Sequence, residues 1–93
     1  MKYHLTSTRD FRRQYKKLQR SGNMRALEEL DVVVYQLKNG EILSEKYRNH
    51  ILKGEYQDCF ECHVLPNWLL IYRKYEGVLI LELIATGSHS ELF

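Results

Sequence analysis

Three imidazoles set far apart along a 93-residue chain, His50, His63 and His89, are the groups best suited to chemistry in this sequence. Histidine has an unperturbed pKa of about 6.5, so it can take or give a proton near neutrality. The three lack the short H-x-x-x-H spacing of a zinc site, and neither a metal nor any other cofactor is expected. A metal-free set of this kind suits cleavage of RNA by its own 2′-hydroxyl. One group must remove the hydroxyl proton, another must protonate the departing 5′-oxygen, and cations must steady the phosphorane between them. Arg48, Lys53 and Arg73 are candidates for those cations. Phe93 offers an aromatic face on which an unpaired base can stack.

The stretch Cys59-Phe60-Glu61-Cys62-His63 matches the C-x-x-C-H pattern of haem attachment. Strand geometry argues against it, because residues three apart on a strand point to opposite faces and the two thiols diverge. The first residues, Met1 to Thr6, also lack the apolar stretch of an export signal. The expectation is that Cys62 packs as a small apolar residue and that Cys59 is a surface thiol.

The elements that must position these groups follow from the apolar pattern. Lys2 to Thr6 alternates weakly, as a short first strand does. Ser7 or Thr8 can cap a helix with Asp10 in its first turn and an apolar stripe of Phe11, Tyr15 and Leu18. Ser21-Gly22-Asn23 ends it. A second helix is predicted over 24–38, with Leu27, Leu30, Val34 and Leu37 at helical spacing and Asn39-Gly40 as its stop. Residues 41–54 read as polar and irregular. Asp58 to Leu65 alternates as a strand, with Phe60, Cys62 and Val64 on one face and Cys59, Glu61, His63 and Leu65 on the other. Pro66-Asn67 is a tight turn, and the apolar run Trp68 to Tyr72 opens a central strand buried on both faces. Glu76-Gly77 reads as a two-residue hairpin turn, Val78 to Ala85 as the last strand, and Thr86 to Phe93 as a tail. The order β-α-α-β-β-β gives an α+β fold, a helical hairpin on a twisted, mainly antiparallel sheet.

A chain of 93 residues, 44% hydrophobic and 28% charged, is an ordinary globular composition and room for one domain over 1–93. No apolar run is long enough to span a bilayer, so no membrane partner and a cytoplasmic location are expected. The net charge of +2 conceals a strong asymmetry. Residues 1–25 hold eight basic residues against one acid, whereas residues 26–93 hold six against eleven. A basic first helix, with Arg12 and Lys16 on it, suits a polyanion such as RNA.

The stretch His63-x-x-Pro66-x-Trp68-Leu69-Leu70-Ile71-Tyr72, the tail Thr86-Gly87-Ser88-His89-Ser90-x-Leu92-Phe93 and the segment His50-x-Leu52-x-Gly54 closely resemble the YafQ branch of the RelE-like bacterial toxins. The resemblance covers essentially the whole chain. It implies a RelE-like fold and a type II toxin that cuts translated mRNA in the decoding site of the 70S ribosome. It also implies a cognate antitoxin of the DinJ or RelB kind, with no DNA binding by the toxin alone. By position, His50, His63 and His89 would form the acid–base group, and Phe93 would position a base. The family's acidic residue before the Trp falls at Asn67, which cannot titrate, and Glu61 is the nearest substitute. The family's Arg before Thr-Gly falls at Ala85, leaving Arg73, Lys53 or Arg48 to contact phosphate. The alternative reading is a catalytically weakened module of the same fold that binds the ribosome or an antitoxin.

Overall fold

Thr8 joins the helical layer to the sheet at the first turn of the first helix. The structure, a computed structural model, describes residues 2–93. Strand β1, His4–Ser7, leads into helix α1, Arg9–Ser21. The Thr8 hydroxyl oxygen accepts the Phe11 backbone N–H at 3.0 Å, and the hydroxyl donates to the Ile84 carbonyl at 2.6 Å. One side chain therefore caps α1 and ties it to the last strand. Gly22 ends the helix at φ 79°, a left-handed conformation that costs a side-chain-bearing residue dearly. Asn23 then caps helix α2, Met24–Lys38, by accepting the Ala26 N–H at 3.2 Å. Both helices stand where the pattern places them. The buried stripe of α2 centres on Ala26, Leu30, Val33 and Leu37, with Leu27 and Val34 packed at its margins.

Five strands form one sheet in the order β1-β5-β4-β3-β2. Strand β2 is His50–Ile51, β3 Phe60–Leu65, β4 Trp68–Tyr75 and β5 Ile80–Gly87. β1 runs parallel to β5, and every other pair is antiparallel. β4 is central, and Leu69 to Tyr72 are all buried, as the apolar run predicts. The helices α1 and α2 pack over one face, where Cys62, Val64, Leu70, Tyr72, Leu81 and Leu83 meet Phe11, Leu18, Leu30, Val33 and Leu37. The opposite face carries a second, smaller apolar cluster of Cys59, Ile71 and Ala85, with Leu52, Tyr56, Ile84 and Leu92 against it.

Several local expectations are corrected. β1 begins at His4, so it is displaced from residues 2–6. The β4–β5 turn spans 76–79, not the two residues Glu76-Gly77, and β5 begins at Ile80. There Leu79 takes φ 53°, an uncommon conformation for a leucine that pattern reading does not anticipate. The irregular segment 41–54 contains a 3-10 turn at Glu45–Tyr47 and the short strand β2. The tail is ordered too: β5 runs on through Gly87, and helix α3 follows over His89–Leu92. Leu65 leaves the His63 face and packs with the helical core, because the register shifts between His63 and Leu65. Cys59 is buried, not a surface thiol, because it plugs the second cluster beneath Leu52 and Tyr56.

Replacing Thr8 by Ala should remove both the cap and the tie to Ile84. We expect a loss of about 2 kcal/mol of unfolding free energy, roughly half from each hydrogen-bonding role. Urea unfolding reads this directly, with Thr8→Ser retaining most of the stability. A change in Thr8→Ala below about 0.5 kcal/mol would show that the hydroxyl does not join the layers.

Candidate active site

β2 and β3 bring the first group together by simple strand geometry. His50 and Glu61 are register partners across the antiparallel pair, and His63 lies two residues beyond Glu61 on the same face. Glu61 Oε1 consequently lies 3.4 Å from His50 Nε2 and 3.5 Å from His63 Nε2. The two rings tilt toward each other with centroids 6.4 Å apart. Glu61 is only 5% exposed, so a carboxylate is held in a site with little water.

Each imidazole is oriented differently. His50 Nδ1 is 2.8 Å from the Arg48 carbonyl oxygen. A carbonyl only accepts, so Nδ1 carries the hydrogen, leaving Nε2 to meet Glu61. Tyr72 holds the segment in place by donating its hydroxyl to Asn49 Oδ1 at 2.6 Å. Burial is the main cause that pushes the Tyr72 phenol well above its ordinary value, so it stays a donor. Tyr47 secures the same segment to α2 by donating to Glu29 Oε1. His63 is mostly buried, and its Nδ1 has no hydrogen-bond partner among the described residues. A buried ring nitrogen without a partner is an uncommon feature in a folded core.

The third imidazole stands at the opposite end of the same row. His63 pairs with Leu69, and Leu69 pairs with Gly87, so His63 and Gly87 are two strand spacings apart, about 10 Å. His89 begins α3 two residues later and is exposed. The structure thus joins His50 and His63 through Glu61 and sets His89 apart from them. Phe93, 55% exposed, lies 5.2 Å from the His89 ring and meets Tyr56 edge-on at 5.7 Å. Asn67 is exposed in the β3–β4 turn beside Trp68. The Trp68 indole donates to Thr86 Oγ1 at 2.9 Å, and that hydroxyl donates to the Leu69 carbonyl at 2.8 Å. Between Ile71 and Tyr72 the β4–β5 register shifts, and Ala85 packs with Ile71 and Cys59 on the face away from the helices. A bulge re-aims a side chain in this way.

The cations fall into separate places. Arg48 adopts a left-handed conformation at φ 50° and lines a groove of about 320 Å³ with His63, Arg25, Lys46 and Pro66. Arg73 lies over the Tyr75 ring at 4.8 Å, and its charge acts on the Cys59 thiol beside it. Lys53 is exposed just before the 3-10 turn at Gly54–Tyr56. Arg12 and Lys16 are exposed on α1, in the layer on the other side of the sheet, and Arg12 donates to the Ser7 carbonyl. Sequence reading missed Arg25 and Tyr56 as neighbours of the site. Arg25 arrives from the first turn of α2, and no local pattern signals that meeting.

The cysteines take no part in a metal or redox pair. Cys62 lies in the helical core and Cys59 in the opposite cluster, so they diverge as strand geometry requires. Among the described residues no group of three or more His, Cys, Asp or Glu side chains is placed to hold a metal ion.

Comparison with known proteins gives a consistent picture. The profile of a family described as "Bacterial toxin of type II toxin-antitoxin system, YafQ" matches residues 3–93. The mRNA interferase toxin YafQ of Escherichia coli strain K12 is 38% identical over 47 residues, covering 50% of this chain and 49% of that protein. The match therefore spans about half the length of that relative. Over full length, a metal-bound toxin from Helicobacter pylori is 36% identical, covers 100% of both chains and superposes with a TM-score of 0.87. The toxin-antitoxin complex DinJ-YafQ of Escherichia coli offers a chain 26% identical, covering 100% of this one and 99% of that one, with a TM-score of 0.84.

Burial, reinforced by the Glu61 charge, pushes the Cys62 thiol up to about 12. Burial also raises Cys59, with Arg73 opposing it. Both thiols should therefore resist Ellman's reagent at pH 8 in the folded protein, reacting roughly a hundredfold or more slower than in guanidinium. A thiol of the folded chain that reacts as fast as a free one would contradict this packing.

Proposed function

We propose, from the premise that this chain belongs to the YafQ family of bacterial type II toxin–antitoxin toxins, that it cleaves translated mRNA on the ribosome by histidine acid–base catalysis. The observation that carries the reading is the row of imidazoles on the sheet face that neither long helix covers: His50 and His63 on Glu61 at one end, His89 beside Phe93 at the other. Proton-handling groups at the two ends of that row can flank one ribose–phosphate step. One pole takes the 2′-hydroxyl proton as O2′ bonds to phosphorus. The other gives a proton to the 5′-oxygen as its bond to phosphorus breaks. Phe93, steadied by Tyr56, supports a base at the His89 pole.

The imidazoles supply both proton transfers, so the reaction needs no metal, although a Helicobacter pylori relative has been solved with one bound. Arg48, with Arg25 and Lys46 in the groove beside His63 that Glu29 also lines, is the phosphate-binding side of the site, and Arg73 and Lys53 are further candidates to contact phosphate. Glu61 takes the electrostatic part that Asn67 cannot, since Asn67 is neutral and exposed in its turn. Arg12 and Lys16, on the far layer, are free to face ribosomal RNA. The Escherichia coli complex of DinJ with YafQ supports a cognate antitoxin as the other partner. A cytoplasmic site of action follows from a ribosomal target; among the described residues no helix is long and apolar enough to cross a membrane.

A weakened toxin is the second reading, favoured by Ala85, whose buried methyl stands where the family carries Arg. Primer extension and end-group analysis on a ribosome-bound reporter mRNA test both. We expect discrete cuts in translated codons, with 5′-hydroxyl and 2′,3′-cyclic or 3′-phosphate ends, and a loss of about 10²-fold or more in His89→Ala. Ends bearing 5′-phosphate would refute the mechanism. Weak wild-type cleavage that rises strongly in Asn67→Asp or Ala85→Arg would favour the weakened toxin.

A further inference from the structure

We propose that Glu91 is a positioning residue, fixing helix α3 and thereby the orientation of His89 and Phe93, a role that rests on the nuclease reading above. A helix of four residues has no stability of its own, since even helices of about a dozen residues are marginal in water. Something outside it must set its angle to the sheet. Leu92 supplies an apolar anchor by packing on the cluster of Ile71 and Ala85. Phe93 against Tyr56 adds a contact just past the helix end, and Glu91 fixes the first turn with both of its carboxylate oxygens.

Glu91 Oε1 accepts the Ser88 backbone N–H at 2.9 Å, while Ser88 Oγ accepts the Glu91 N–H at 3.3 Å. This reciprocal capping box closes the first turn of α3. Glu91 Oε2 reaches in the other direction and accepts from Lys17 Nζ at 3.3 Å, across to α1. Gly87 makes room for the arrangement: a Cβ there would lie 3.3 Å from Glu91 Oε1 and 3.3 Å from Leu92 Cδ2. The hydrogen bonds from Ser88, backbone first, together with Lys17, hold the Glu91 carboxyl below its ordinary value. It is therefore ionised wherever the histidines are active. His89 lies two residues before Glu91 and Phe93 two residues after it, so a swivel of α3 moves both together.

Position, not stability, is what this contact changes. Lys17 and Glu91 are 76% and 43% exposed, and pairs so open to water add little to folding. Misplacing a reacting group by an ångström, by contrast, can cost a large factor in rate. The tether should therefore appear in kcat far more than in thermal stability.

The test compares wild type with Glu91→Ala, Glu91→Gln and Lys17→Met as full-length protein. It uses single- and multiple-turnover cleavage of ribosome-bound mRNA, and nitrogen-15 relaxation of the amides of residues 88–93. Glu91→Ala should lower kcat about tenfold or more, leave KM within about twofold, and loosen those amides on the ps–ns timescale. Glu91→Gln keeps an acceptor for the Ser88 N–H and should recover most of the rate, and Lys17→Met should show a smaller loss. Should Glu91→Ala fail to fold, Lys17→Met, which removes the contact to α1, carries the comparison, with looser amides and a lower kcat expected. If wild type does not cleave RNA yet the Glu91→Ala amides loosen, the tether stands and the nuclease reading falls. Rigid amides in Glu91→Ala, or loose amides with an unchanged kcat, would overturn the positioning role.

Discussion

A carboxylate taken out of water requires polar partners at close range, and Glu61 lies between two imidazoles. His50 Nε2 and His63 Nε2 lie 3.4 Å and 3.5 Å from the same oxygen. Because the Nδ1 hydrogen of His50 is committed to the Arg48 carbonyl, the ring turns Nε2 toward Glu61. The three side chains therefore form one contiguous polar cluster, in which moving any one disturbs the other two.

The rest of the fold can be understood as what keeps that unit in place. One face of the sheet spends its side chains on the helical core, with Leu69 to Tyr72 of the central strand held between layers. The other face is left to the polar row and a small apolar cluster. Two register shifts let both requirements be met. The shift after His63 sends Leu65 back to the helices, and the shift between Ile71 and Tyr72 turns Ala85 toward the site while Thr86 stays bonded to Trp68 and Gln14. Basic residues then divide between the groove beside His63 and the outer surface of α1, which suits a protein that handles one phosphate while leaning on a larger polyanion.

Much of this was legible in the sequence because it depends on short periods. The capped helices, the central strand and the shared face of Glu61 and His63 all follow from spacings of 3.6 or 2. The pairing of His50 with Glu61 did not, since β2 is two residues long and carries no pattern. Bulges also defeat alternation, which is why Leu65 was placed on the wrong face. Cys59 was misjudged for a related reason: it precedes β3, and the chain over Leu52 to Tyr56 folds back to cover it. The tail helix carries a local sign, the capping-box spacing Ser88-x-x-Glu91, which the reading of 86–93 as a tail passed over. Its tether to Lys17 crosses 74 residues of sequence and leaves no local mark.

A double-mutant cycle on the cleavage rate tests the coupled unit most directly. The kcat on ribosome-bound mRNA would be measured for wild type, His50→Ala, Glu61→Gln and the double variant. A single coupled unit predicts that each single change costs nearly as much as both together, because either one dismantles the unit. Losses that multiply would mean that Glu61 and His50 act independently, and would contradict the account.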